Sequence, residues 1–151
     1  AKYAAMIESM DDSIGAVQAT LKRLKLDDNT IVIFFSDNGG HGGVTSNTPL
    51  RGSKGMLYEG GIREPLVIKW PGVTQSGSTC REPVIGVDFY PTLMEAANVK
   101  RRKAGQLDGL SLSDDSRNGL GLGSGLLCLA NHVASLLVGT LVGRSIRAFL
   151  Y

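Results

Sequence analysis

Asp37 and Asn38 stand side by side and run directly into Gly39, Gly40, His41, Gly42 and Gly43. A carboxylate beside an amide oxygen offers the hard oxygen donors that Ca²⁺ and Mg²⁺ take, and glycines let backbone approach closely. Asp-Asn-Gly-Gly is also good turn chemistry, so this motif alone leaves metal ligation and a plain turn both open. Farther along, Asn47 to Gly55 and Tyr58 to Pro65 place Arg51, Lys54 and Arg63 in a glycine-rich stretch. An arginine fork and a lysine point charge suit the oxygens of a tetrahedral anion. The spacing does not fit the nucleotide P-loop, which needs Gly, four residues and then Gly-Lys-Ser/Thr opening a helix. Taken singly, each of the three cations reads as a surface or loop-bracing ion pair, with Glu59 and Glu64 as available partners.

Elements on either side must position these residues. From Lys2 to Lys25 the larger apolar residues fall at Met6, Met10, Ile14, Val17, Leu21 and Leu24. Steps of three and four predict one face of an amphipathic helix, with Asp11, Asp12, Gln18, Lys22 and Arg23 on the other. Asp27, Asp28, Asn29 and Thr30 then favour a turn. The unbroken run Ile31, Val32, Ile33, Phe34, Phe35 reads as a strand covered on both faces. Ligands of open α/β sheets gather beyond the carboxyl ends of strands, which is where Asp37 and Asn38 fall. The stretch from Ser36 to Gly61 is far longer than the usual connection of about four to six residues, and such loops are commonly functional. Leu66 to Trp70 predicts a second strand stopped by Pro71 and Gly72, and Val84 to Val87 a third. Asp88 is the expected N-cap of a short helix, with Pro91 in its first turn and Leu93, Met94 and Ala97 facing inward. This alternation predicts an α/β layered fold.

At 151 residues and 42% hydrophobic content the chain is expected to make one packed unit. A net charge of +2 excludes a nucleic-acid footprint, since the dense basic run is confined to Lys100, Arg101, Arg102 and Lys103. Cys80 and Cys128 stand far apart, in no metal-ligand spacing, and signal no disulfide framework. The first residues show no signal-peptide pattern. After about Gly105 the character changes. Residues 119–143 carry no Asp, Glu, Lys or Arg, and Leu126 to Val142 is mostly apolar apart from Asn131 and His132. A membrane span takes about 20 apolar residues, so this is a marginal candidate for membrane contact, beside a buried helix or a sequence foreign to the domain before it.

The strings IVIFFSDNGG, NTPLRGSKGMLYEGGIREPLVIKWPG, VIGVDFYPTLMEAANV and LDGLSL resemble the later part of the sulfatase catalytic domain, within the alkaline phosphatase superfamily. The likeness runs from about Tyr3 to Leu112. It implies a layered α/β domain with a mainly parallel sheet flanked by helices, partial here over residues 1–112; the Gly/Leu-rich tail over 113–151 departs from the pattern, with a helix as one reading of it. By the same resemblance Asp37 and Asn38 ligate Ca²⁺, with Mg²⁺ as the substitute, and Lys54 is the catalytic and substrate-binding residue that contacts the sulfate. Arg51 and Arg63 match the pattern as loop scaffolding. His41 is not in the family's catalytic position and is expected to be structural or to support the metal ligands. Sulfatases use a formylglycine made from Cys or Ser in Cys/Ser-x-Pro-x-Arg, and no such segment occurs here. Cys80 has its proline misplaced at Pro83, and Asn47-Thr48-Pro49-Leu50-Arg51 has the spacing with an unreactive amide in the nucleophile's place.

The resemblance therefore implies a sulfuric ester hydrolase fragment acting on a sulfate ester, inactive alone, with a periplasmic or secreted parent. A phosphatase or phosphonate hydrolase of the same superfamily is an alternative within the class. A catalytically dead metal-binding remnant, or one tethered to a membrane by the tail, is an alternative outside it. Beyond LDGLSL the family pattern stops, and uncovered apolar surface is expected to make the isolated chain poorly soluble. Size-exclusion chromatography with thermal melting checks this: broad or void-volume elution is expected, and a monodisperse, cooperatively melting sample would count against it.

Overall fold

A computed structural model of the chain describes residues 2–99 and 107–113. Within them the order is α1 (Lys2–Arg23), a 3₁₀ turn at Asp27–Asn29, β1 (Val32–Phe35), α2 (Glu59–Ile62), β2 (Leu66–Lys69), a 3₁₀ turn at Gly86–Asp88 and α3 (Phe89–Ala96).

Helix α1 forms where the three-and-four spacing places it, but the half-buried residues are Ile7, Asp11, Ile14, Gln18 and Leu21. The expected stripe shares only Ile14 and Leu21 with that set, and Met6 and Val17 are 68% and 56% exposed. Apolar residues flank both edges of the same face, so spacing alone put the stripe one residue off. Both long helices stop in the same way. Lys25 and Asn98 take positive φ, while Leu26 N–H reaches Leu21 O and Val99 N–H reaches Met94 O, both at 2.9 Å. These six-to-one bonds satisfy carbonyls that a helix end leaves open.

Strands β1 and β2 are antiparallel, with Val32 opposite Lys69, Ile33 opposite Ile68, Phe34 opposite Val67 and Phe35 opposite Leu66. The mainly parallel sheet expected from the resemblance is thus not what this pair makes. The segment between them contains the single helical turn α2, and it folds back on itself where a parallel pair needs a full crossover. β1 is half-buried along its whole length where full cover was expected. Its inward residues, with Leu66 and Ile68 opposite, build the core: Leu66, Ile68, Cys80, Val84 and Leu112 are buried, and Ile31, Ile33, Phe35, Trp70 and Phe89 pack against them. Phe35 and Phe89 meet edge to face at 5.0 Å between ring centroids.

The third strand expected at Val84–Val87 does not form, because Asp88 bends the chain. Its buried carboxylate accepts the Ile85 N–H at 2.9 Å, curling residues 86–88 into a 3₁₀ turn. The other carboxylate oxygen accepts the Leu110 N–H at 2.9 Å; Asp88 stands at the N-cap of α3 as expected, but its side chain braces these two segments and makes no capping bond to that helix. Thr92 extends the seam: its hydroxyl donates to Asp88 O at 2.6 Å and accepts Leu112 N–H at 2.9 Å. Thr92 is accordingly the buried residue of α3, and Leu93, expected inward, is 44% exposed. The expectations for Lys100–Lys103, Cys128 and the apolar stretch Leu126 to Val142 lie outside the described residues. Among those described, no helix is long and apolar enough to cross a membrane.

Removing the Asp88 carboxylate takes the acceptor from two half-buried N–H groups, those of Ile85 and Leu110. Asp88→Ala is expected to lower unfolding free energy by roughly 2–3 kcal/mol, as two hydrogen bonds to a charged group are lost. Urea denaturation followed by circular dichroism measures it. A midpoint unchanged from wild type is the contrary result.

Candidate functional site

The backbone pairing of β1 and β2 continues one residue past both strands, and a further bond joins the segments out of register. Ser36 N–H donates to Pro65 O at 3.2 Å and Gly39 N–H to Gly61 O at 3.1 Å. The Ser36 bond keeps the register of Phe35 with Leu66, whereas the Gly39 bond falls one residue out of it. Asp37 and Glu64 come directly after and directly before that last in-register pair, and the Asp37 charge acts on Glu64. Asp37 is exposed and Asn38 half-buried, with the Asn38 carbonyl held by the Ser36 hydroxyl at 2.9 Å.

The loop from Gly39 to Ile62 is tied by backbone contact. A Cβ on Gly39 would overlap the Gly60 carbonyl, one on Gly60 the Gly52 carbonyl, and one on Gly61 the Met56 carbonyl. Only glycine permits backbones to approach so closely. Gly60 N–H donates to Arg51 O at 2.7 Å, and the Asn47 side-chain amide donates to Gly40 O at 2.8 Å and to Gly52 O at 3.2 Å. Lys54 N–H closes the knot on Gly40 O at 3.1 Å. The segment that carries Lys54 is therefore bonded to the segment that follows Asp37 and Asn38.

The three loop cations are used differently. Arg51 lies over the Tyr58 ring, its guanidinium carbon 3.9 Å from the centroid, and donates to the Tyr58 hydroxyl at 3.0 Å. Arg63 pairs with Glu59 at 3.2 Å. Lys54 is exposed, and its ammonium meets no acceptor among the described residues. His41 is exposed, and its Nδ1 accepts the Gly43 N–H at 3.1 Å in a local turn.

Two residues matter here that the motifs did not single out. Asn47, noted only for its place in a spacing, is the amide that joins two carbonyls. Glu64 was counted as a spare ion-pair partner, yet it is 6% exposed and its Oε1 is buried without a hydrogen-bond partner among the described residues. The signal for it was parity: Glu64, Leu66 and Ile68 alternate on one face, and the last two are core. Burial first, and then the Asp37 charge, push the Glu64 carboxyl up to about 7. No cluster of three His, Cys, Asp or Glu side chains occurs among the described residues. The oxygen donors at hand are Asp37, Asn38 and Glu64, a set suited to a hard cation.

Comparison with known proteins places this arrangement. The family model described as Sulfatase matches residues 1–99. A sulfatase of Formosa agariphila is 44% identical over 124 residues, which cover 75% of this chain and 22% of that protein. Arylsulfatase J of Mus musculus is 42% identical over 79% of this chain and 20% of its own length. The steryl-sulfatase of Homo sapiens is 34% identical over 73% and 20%. This chain belongs to the sulfatase family, and it spans about a fifth of the length of these relatives. Membership implies an alkaline-phosphatase-like α/β fold, to which the described residues contribute helices and a two-stranded antiparallel sheet.

Burying Glu64 makes stability depend on pH. An unfolded glutamate titrates near 4.5 and this one near 7, so the folded state keeps the proton longer. Without added cation, stability is full below pH 4.5, declines as pH rises to about 7 and then levels off. At about 1.4 kcal/mol per pH unit the loss is on the order of 3 kcal/mol. Glu64→Gln is expected to lack that decline when both chains are melted in urea from pH 4 to 8 with chelator present. Parallel profiles for the two chains are the result against it.

Proposed function

We propose that this chain carries part of the cation and sulfate site of a sulfuric ester hydrolase, with Asp37 and Asn38 as ligands of Ca²⁺, or of Mg²⁺ in its place, and Lys54 on the sulfate. The observation that carries this reading is the bond from Lys54 N–H to Gly40 O, which ties the lysine's loop beside the carboxylate and amide. Membership of the sulfatase family supports a sulfate ester as the substrate class.

The chemistry follows from what each group can do. When bound, the cation supplies positive charge that polarises a sulfate oxygen. Asp37 presents an exposed carboxylate and Asn38 an amide at a strand end, where loops converge. Lys54 brings three donors on a flexible stem, free to follow charge as it builds on the sulfate oxygens. Arg51 and Arg63 are engaged by Tyr58 and Glu59, so their part is to hold the loop in shape. The sequence contains no Cys/Ser-x-Pro-x-Arg segment to furnish a nucleophile, and the chain by itself is proposed to turn over no ester.

Isothermal titration of the full chain with CaCl₂ tests the reading. Asp37→Ala is expected to weaken Ca²⁺ binding by about tenfold or more, whereas Lys54→Ala leaves it within a few fold and lowers affinity for inorganic sulfate. Equal Ca²⁺ binding by wild type and Asp37→Ala contradicts the metal assignment. Turnover of an aryl sulfate by the purified chain alone contradicts its proposed inactivity.

A further inference from the structure

His41 is far from Lys54 in the sequence and beside it in the fold. Lys54 N–H donates to the carbonyl of Gly40, the residue before His41, at 3.1 Å. On the other side of His41, a Cβ on Gly42 would meet the Ser53 hydroxyl at 3.1 Å and the Ser53 Cβ at 3.3 Å. Both neighbours of His41 therefore rest against Ser53 and Lys54, and the Asn47 amide, bonded to Gly40 O and Gly52 O, pins the two strips of backbone together. His41 and Lys54 are themselves exposed. The imidazole is held as well as placed. Its Nδ1 accepts the Gly43 N–H at 3.1 Å, and a Cβ on Gly43 would meet the ring Cε1 at 3.0 Å. With the Nδ1 lone pair so used, the ring's proton resides on Nε2, which is left as an N–H donor. Val44 and Thr45 N–H both reach the His41 carbonyl, at 2.9 and 3.0 Å, so the backbone under the ring is a closed turn. Neither His41 Nε2 nor Lys54 Nζ meets an acceptor among the described residues.

We propose that His41 is a further substrate-binding residue of the sulfate site, donating Nε2–H to one sulfate oxygen while the Lys54 ammonium takes another. This role rests on the assignment of Lys54 to the sulfate and adds a second, directional donor to it. A lysine engages an anion as a mobile point charge with no preferred direction. A ring held by its own turn supplies the direction, and hydrogen bonds to an ionised acceptor are the strong ones. Arg51 and Arg63, the other cations of the loop, are occupied by Tyr58 and Glu59, so neither stands in for the second donor. A purely local role for His41 accounts for Nδ1 but leaves the Nε2 donor of an exposed ring unused.

Substitution tells the two nitrogens apart. His41→Asn keeps an acceptor for the Gly43 N–H near the position of Nδ1 and has no donor at the position of Nε2. His41→Gln reaches as far as Nε2 with an amide N–H. Inorganic sulfate is titrated into the full chain by calorimetry at constant ionic strength, with chloride as the balancing anion and circular dichroism as the folding check. His41→Asn is expected to weaken sulfate about fivefold or more, and His41→Gln to stay within about twofold of wild type. A histidine that only closes the turn gives the reverse order, with Asn near wild type and Gln weakened, and that result overturns the proposal. Unchanged affinity in both His41 variants, with binding lost in Lys54→Ala, also overturns it and leaves the Lys54 assignment standing. No sulfate binding by wild type, or equal binding by Lys54→Ala, removes the sulfate site and this donor with it. If His41→Asn does not fold, the Nε2 ¹⁵N signal of His41 in wild type, assigned by its absence from His41→Gln, decides. Sulfate is expected to shift that signal where chloride does not, and a signal that sulfate leaves in place overturns the proposal.

Discussion

Backbone pressed on backbone at Gly39, Gly60 and Gly61 is the constraint from which the rest of the site follows. The Gly39 α-carbon sits against the Gly60 carbonyl, and Gly60 in turn sits against Gly52, so the two loops interlock with no side chain between them. Removing side chains makes the approach sterically open but gives it no energy of its own. Hydrogen bonds from Gly60, Lys54 and Asn47 supply that, and each also satisfies a carbonyl that the folded loop would otherwise leave open. A stretch of more than twenty residues between β1 and β2 thereby becomes a shaped object with a defined position for residue 54.

That shape separates the cations by task. Arginine forks suit planar stacking and paired hydrogen bonding, and Arg51 and Arg63 are spent on Tyr58 and Glu59. Lysine is left exposed at the point where its loop touches Gly40. The acids divide in a comparable way, Asp37 open to solvent and Glu64 enclosed on the core face of β2. A buried acid under the field of an exposed one is a poor arrangement for stability alone.

Much of this was legible in the residues. Helix α1 and both strands stand where periodicity and apolar runs put them, since such signals depend on local geometry. The direction of β2 was not legible, because an apolar run says that a strand is covered and nothing about which way its neighbour runs. The strand expected near Val84 failed on one side chain: β-branched residues favour extension, but the Asp88 carboxylate takes the Ile85 N–H and closes a turn. The inward stripe of α1 slipped by a residue because apolar side chains flank it on both edges. For the site, Asp37, Asn38 and Lys54 were marked by their chemistry and given roles by resemblance, and the bond between their loops shows only in the folded chain. Glu64 was hidden because an acid in a polar loop reads as exposed, and its burial comes from the segments folded over it.

The central claim is that the Asp37 and Lys54 segments share one pocket, and paramagnetic broadening measures that directly. With lysines reductively ¹³C-methylated and the Lys54 signal assigned by Lys54→Arg, Mn²⁺ can stand in for the oxygen-loving divalent cation. Substoichiometric Mn²⁺ should broaden the Lys54 methyl signal selectively, sparing Lys22 and Lys25, and the effect should vanish in Asp37→Ala. A Lys54 signal that stays sharp while Mn²⁺ binds at Asp37 would contradict the account.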